Sequence, residues 1–189
     1  AVDEMGNEEL AAFVFGPVQS VGDWNALSPG WTVISVPRLQ ADETLTTVLT
    51  SIDGKYDAVQ FYDPAAQAWA HYNASKPSEM NSLAELNHTM GFYVHMTTGG
   101  VLAPSGTDPE DATNDIWLQP GWNLVGFPST QESVLAGTAL AGVSYDRLER
   151  FDHATQLIEV LDPGVDLMHR GGGYWIHTDS GVPQLWDVP

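Results

Sequence analysis

The sequence predicts an α+β, β-rich fold made of two pseudo-symmetric repeats, each a mostly antiparallel sheet with one short covering helix. Three observations carry this. One stretch occurs twice, as Pro29-Gly30-Trp31-Thr32-Val33-Ile34-Ser35-Val36-Pro37 and as Pro120-Gly121-Trp122-Asn123-Leu124-Val125-Gly126-Phe127-Pro128. Further blocks recur in the same order: Tyr56-Asp57 with Tyr145-Asp146, Tyr62-Asp63 with Phe151-Asp152, Gln67 with Gln156, and Gly91-Phe92-Tyr93-Val94-His95 with Gly173-Tyr174-Trp175-Ile176-His177. Between the blocks lie short β-branched and aromatic runs bounded by Gly, Pro and Asp, the signature of strands and turns. A self-match of this kind takes precedence over any local reading.

The boundaries follow from the blocks. Residues 1–21 are an N-terminal extension, with the apolar run Leu10 to Phe15 read as a buried strand or helix end closed by Gly16-Pro17. Repeat 1 spans 22–107, an acidic linker 108–115, and repeat 2 116–189. In repeat 1, Trp31 to Val36 reads as a strand that Pro37 ends, since proline cannot donate to a ladder. Leu45, Val48, Leu49 and Ile52 share one helix face, with Asp42 as N-cap and Gly54 as stop. Tyr56 to Tyr62 and Ala68 to Tyr72 form a hairpin turning at Asp63-Pro64, and Ser82 to Leu86 a helical turn. Gly91 to Thr97 and Val101 to Ala103 form a second hairpin.

Repeat 2 takes the same order. Trp122 to Phe127 is the first strand. Ser129 and Glu132 fit a capping box, opening a helix that carries Val134, Leu135, Ala139, Leu140 and Val143. Tyr145 to Phe151 and Leu157 to Leu161 form one hairpin, and Tyr174 to Thr178 pairs with a last strand ending at Leu185-Trp186. Val48, Leu49, Ile52, Leu135 and Leu140 are the expected buried helix faces.

Composition narrows the function. Net charge is -19, with 25 acidic residues against 6 basic ones. A surface that tracks phosphates needs Lys and Arg, so nucleic acid is excluded as a partner. No apolar run is long enough to span a membrane. The absence of cysteine removes disulfides, zinc-thiolate sites and thiol catalysis. The acidic start Ala1-Val2-Asp3-Glu4 is not that of a signal peptide, and a start at Ala reads as a processed chain or part of a longer polypeptide. Nucleophile-elbow, P-loop and dinucleotide motifs are missing.

The blocks Pro-Gly-Trp-Asn-Leu-Val-Gly-Phe-Pro, Tyr-Asp with Phe-Asp, and Gly-Gly-Tyr-Trp-Ile resemble a repeat of uncharacterised secreted and cell-surface proteins of bacteria and archaea, often found in tandem beside adhesive or wall-associated modules. The resemblance covers most of residues 22–189. It implies an extracellular, non-catalytic module with a structural or adhesive role, whose partners are other surface or wall components or glycans. It brings no catalytic residues.

Each candidate site residue has two readings. Trp31 and Trp122 are core aromatics at a strand start, or sugar-stacking platforms. Tyr93 with His95, and Trp175 with His177, share one strand face because strand side chains alternate. That face is an ordinary half-exposed surface or a ligand patch. Asp57, Asp63, Asp146 and Asp152 cap turns, or bind Ca²⁺ through oxygen ligands. The expected function is therefore a non-enzymatic surface module without an obligatory cofactor. A carbohydrate-binding module using the exposed aromatics is the first alternative, and a small hydrolase with an Asp/Glu pair the second. Coplanar exposed rings favour the former; a pocket with two carboxylates favours the latter.

Overall fold

A computed structural model describes residues 25–189. The extension 1–21 and its apolar run therefore lie outside the described residues. Strands dominate, at 44% against 10% helix. The few helical turns are too short to form a layer, so the chain is β-rich, with several antiparallel sheets.

The first half runs β1 (Asn25–Leu27), β2 (Gly30–Ser35), α1 (Leu45–Val48), a 3-10 turn (Thr50–Ile52), β3 (Tyr56–Asp63), β4 (Ala68–Asn73), β5 (Gly91–Met96) and β6 (Gly100–Leu102). After α2 (Asp111–Asn114) come β7 (Ile116–Leu118), β8 (Gly121–Gly126), β9 (Ser133–Leu135), α3 (Ala136–Ala139), β10 (Arg147–Asp152), β11 (Leu157–Val160), β12 (Leu167–His169), β13 (Gly173–Thr178) and β14 (Gln184–Trp186). One four-stranded sheet has the order β2-β5-β3-β4, the other β8-β13-β10-β11, and all pairs are antiparallel. Two-stranded ribbons flank them, β1 with β6, β7 with β14 and β9 with β12.

Each sheet has two apolar faces, which is why its strands read as nearly continuous hydrophobic runs. On β5, Phe92, Val94 and Met96 point into a core with Leu45, Val48, Leu49, Ile52, Val59 and Leu86. On β13, Tyr174 and Ile176 point into a separate core with Phe127, Leu140, Leu148, Met168 and Trp186. The opposite faces meet each other in a third cluster of Val33, Leu124 and Trp175, packed by Tyr62, Tyr93, Trp122 and Phe151.

Backbone contacts fasten the halves. Ser35 N donates to Gly171 O at 2.8 Å, and Gly126 N donates to Thr89 O at 2.8 Å. Isolated antiparallel bridges join Ile34 to Gly172 and Met90 to Val125. Such approach requires bare backbone: a Cβ on Gly91 would lie 2.3 Å from Val125 O. The 108–115 stretch is docked as well. Asp108 Oδ1 accepts from Arg170 Nη2 at 2.7 Å, and that guanidinium also donates to Pro37 O at 3.1 Å.

Several local expectations are corrected. The helix read over 42–52 is only α1 followed by the 3-10 turn, because Thr44 bridges to Glu85 and holds the chain extended until Leu45. Asp42 is not the N-cap; it lies two residues before it, accepting from Thr44 N at 2.9 Å. The Ser129/Glu132 capping box forms no helix. Ser129 Oγ accepts from Gln131 N and donates to the Pro189 carbonyl, while 133–135 pairs with β12. Strand pairing there overrides local helix propensity. Leu135 consequently points outward at 37% exposure, against the expected burial, whereas Val48, Leu49, Ile52 and Leu140 are buried. Ser82 to Leu86 is not helical; the 3-10 turn falls at Ser78–Met80. The expected hairpins β5–β6 and β13–β14 do not form, because β6 pairs with β1 and β14 with β7, while β5 and β13 are each flanked by two other strands.

Candidate functional site

The site grows from the strand faces that the two sheets turn toward each other. On the first sheet, register places Trp31 opposite His95, Val33 opposite Tyr93, Gln60 opposite Tyr93 and Tyr62 opposite Trp69. On the second, Trp122 lies opposite His177, Leu124 and Glu149 opposite Trp175, and Phe151 opposite Ile158. Period-two alternation puts these side chains on one face of each sheet.

The rings interlock. Trp31 lies 6.3 Å from Tyr93 and 5.0 Å from His95; Trp122 lies 5.9 Å from Trp175 and 4.9 Å from His177. Across the halves, Tyr62 contacts Trp175 at 5.4 Å, Phe151 contacts Tyr93 at 5.6 Å, and Trp69 contacts Trp175 at 5.8 Å. The Trp175 indole donates to the Tyr93 hydroxyl at 3.0 Å. Burial is the main cause that pushes the Tyr93 phenol above its ordinary value; the Glu149 carboxylate adds to the rise and the Trp175 hydrogen bond opposes it. Edge-to-face pairs of this kind contribute roughly 0.5–1.5 kcal/mol each beyond their buried area.

One cleft of about 340 Å³ opens in this layer, lined by Tyr62, Trp69, Tyr93, Trp122, Glu149, Ile158 and Trp175. Trp69 is its exposed lip at 50%, and Trp175 its buried floor at 8%. Glu149 is ion-paired with Arg147.

The expected site residues fall into three places. Trp122, Tyr93 and Trp175 line the cleft. Trp31, His95 and His177 belong to the aromatic layer but not to the cleft wall. His95 Nδ1 is 2.6 Å from Asp57 Oδ1, and His177 Nδ1 is 2.6 Å from Asp146 Oδ1. Asp63 and Asp152 sit at hairpin turns. Asp63 Oδ1 accepts from Ala65 N at 2.8 Å and Ala66 N at 3.1 Å; Asp152 accepts from Ala154 N at 2.9 Å and Thr155 Oγ1 at 2.8 Å. Among the described residues no three His, Asp or Glu side chains converge as a metal site requires.

Compared with protein-family models, curated proteins and solved structures, the chain matches none of them. The site is therefore read from its own geometry.

Tyr62, Trp69, Glu149 and Ile158 were not singled out by sequence. Their signal lay in hairpin arithmetic: a turn that pairs Asp63 with Ala68 sets Trp69 opposite Tyr62. The cleft rings are tilted against one another, with interplanar angles of 67° for Tyr62–Trp69, 68° for Trp69–Trp175 and 89° for Trp122–Trp175. They form no flat platform. Among the described residues Glu149 is the only carboxylate on the cleft wall. No helix among them is long and apolar enough to cross a membrane.

Proposed function

We propose that this chain is a non-catalytic, duplicated module of a secreted or cell-surface protein, with a structural and adhesive role toward other surface or wall components. The observation that carries the reading is the reciprocity of the contacts between the halves. Ser35 to Gly171 has its counterpart in Gly126 to Thr89, and Tyr62–Trp175 in Phe151–Tyr93. The bridge Ile34–Gly172 answers Met90–Val125. Each pair exchanges the roles of aligned positions, as a pseudo-twofold relation between two copies of one unit requires. Gln67 and Gln156, aligned in the hairpin turns, both take the left-handed backbone, at φ 51° and 59°.

Repeats that interlock in this way act as one stiff body, suited to bearing load or presenting a surface. The motif resemblance to tandem surface repeats and the strongly acidic composition support the extracellular setting. Each repeat is small and free of disulfides, so its own core is marginal and docking stabilises both. Calorimetry of the full chain tests the reading: one cooperative transition is expected. Two independent transitions would make the halves separate beads and overturn it.

A further inference from the structure

We propose that the cleft between the two sheets is a cage for the alkylated ammonium group of a small organic cation, of the trimethylammonium class. The inference rests on the rigid-body reading, because each half supplies part of the wall. Tyr62, Trp69 and Tyr93 come from the first sheet, Trp122, Glu149 and Trp175 from the second. Neither half alone holds the site.

Shape is the first argument. A pyranose stacks on one broad, flat aromatic face and is fixed by a rim of hydrogen-bonding groups. Here neighbouring rings stand at steep angles, 67° to 89° for the pairs Tyr62–Trp69, Trp69–Trp175 and Trp122–Trp175, as the walls of a box do. A round cation with no directional hydrogen bonds suits a box; a sugar does not. The volume of about 340 Å³ matches a small guest.

Chemistry is the second argument. Two polar contacts of the wall are already made: the Trp175 indole donates to Tyr93, and Arg147 pairs with Glu149. Five of the seven lining residues are aromatic, and the quadrupole of such rings attracts a cation. The one carboxylate has the matching sign. Its side chain is only 10% exposed, so its field is weakly screened by water, whereas Arg147 is 53% exposed and hydrated. The net charge of -19 adds a long-range preference for cations over anions.

The test titrates the full chain with choline, following tryptophan fluorescence. In parallel it is titrated with the uncharged carbon isostere, in which a tert-butyl group replaces the trimethylammonium. Choline should bind saturably and the isostere at least about tenfold more weakly, the scale of one desolvated cation–π contact. Trp69→Ala, at the exposed lip, should weaken choline by a similar factor while the chain still unfolds in one cooperative transition. Glu149→Gln should weaken it too; should that variant unfold by stranding Arg147, Trp69→Ala still decides. Phosphocholine and glycine betaine, titrated alongside, separate a lipid-derived head group from a free solute, and tighter binding of either supports the cage. Equal binding of the isostere, binding of a neutral oligosaccharide without choline, or an unchanged choline response in Trp69→Ala overturns the proposal. Failure with a single calorimetric transition overturns the cage alone; two transitions overturn the rigid body as well.

Discussion

Gln156 grips both backbone polar groups of Trp31. Its Oε1 accepts from Trp31 N at 3.2 Å, and its Nε2 donates to Trp31 O at 2.9 Å. A side chain in the hairpin turn of one half thus completes the edge strand of the other, as an added strand would. Gln156→Ala keeps the left-handed backbone strain but removes the clamp. It should lower stability by about 1 kcal/mol, since hydrogen bonds near solvent contribute roughly 0.5–1.5 kcal/mol each. Gln156→Gly also loses the clamp but relieves φ 59°, recovering about 1 kcal/mol. Urea midpoints should rank Ala below both Gly and the parent chain. Equal midpoints for Ala and the parent would leave the clamp without energetic weight.

A second expectation concerns the seam. Gly91 faces Val125, whose carbonyl oxygen would lie 2.3 Å from an added Cβ. Backbone cannot step aside as a flexible side chain does, so Gly91→Ala must push the sheets apart. Overpacking of this kind costs typically 1–3 kcal/mol. Gly54 is the contrast. An added Cβ there meets open space, so Gly54→Ala bears only the strain of its positive φ of 71°. That strain is worth about 1–2 kcal/mol. Gly91→Ala should also expose the aromatic layer and shift tryptophan emission to the red, and Gly54→Ala should not. A red shift in neither variant would mean that the seam adapts.

The two helix-face leucines should separate cleanly. Leu49 is fully buried in the first core, and Leu49→Ala should cost roughly 2–5 kcal/mol. Leu135 points to solvent, and Leu135→Ala should stay within about 0.5 kcal/mol. A large loss at Leu135 in a denaturant titration would contradict its outward placement on β9.

Those leucines also mark how far the sequence could be read. Leu45, Val48, Leu49 and Ile52 have helical spacing, and all four are buried, so the packing face was legible although the helix is a single turn. The spacing of Val134, Leu135, Ala139 and Leu140 misled, because Ser133–Leu135 is drawn into a strand by β12, thirty-odd residues away. Local pattern carries no information about such a partner. The long β strands were legible from their β-branched and aromatic runs. The central place of β5, between β2 and β3, was not, since strand order is set by long-range packing. For the site, alternation correctly put Tyr93 with His95 and Trp175 with His177 on one face. The cleft itself draws on both halves, and no reading of one half could assemble it.

Acid should destabilise the protein in two steps. Burial holds the His169 imidazole below its ordinary value of 6.5, with the Arg150 charge acting in the same direction. The unfolded chain then binds that proton more readily than the folded one. The stability linked to His169 is complete above 6.5 and is lost as the pH falls through the lowered folded value. Asp108 and Asp152 titrate lower. The Arg170 hydrogen bond is the main cause for Asp108, and the Thr155 hydrogen bond for Asp152; both carboxyls sit below their ordinary 3.8. Their contribution is present above 3.8 and disappears as the pH falls through the folded values. Both are largely exposed, so water screens much of it. Urea midpoints measured from about pH 8 down to about pH 3 should therefore decline first near the histidine range and again in the carboxylate range. His169→Gln should flatten the first decline and leave the second. Asp108→Asn should reduce the second and leave the first. A first decline that persists unchanged in His169→Gln would assign it to another group and remove His169 from the account.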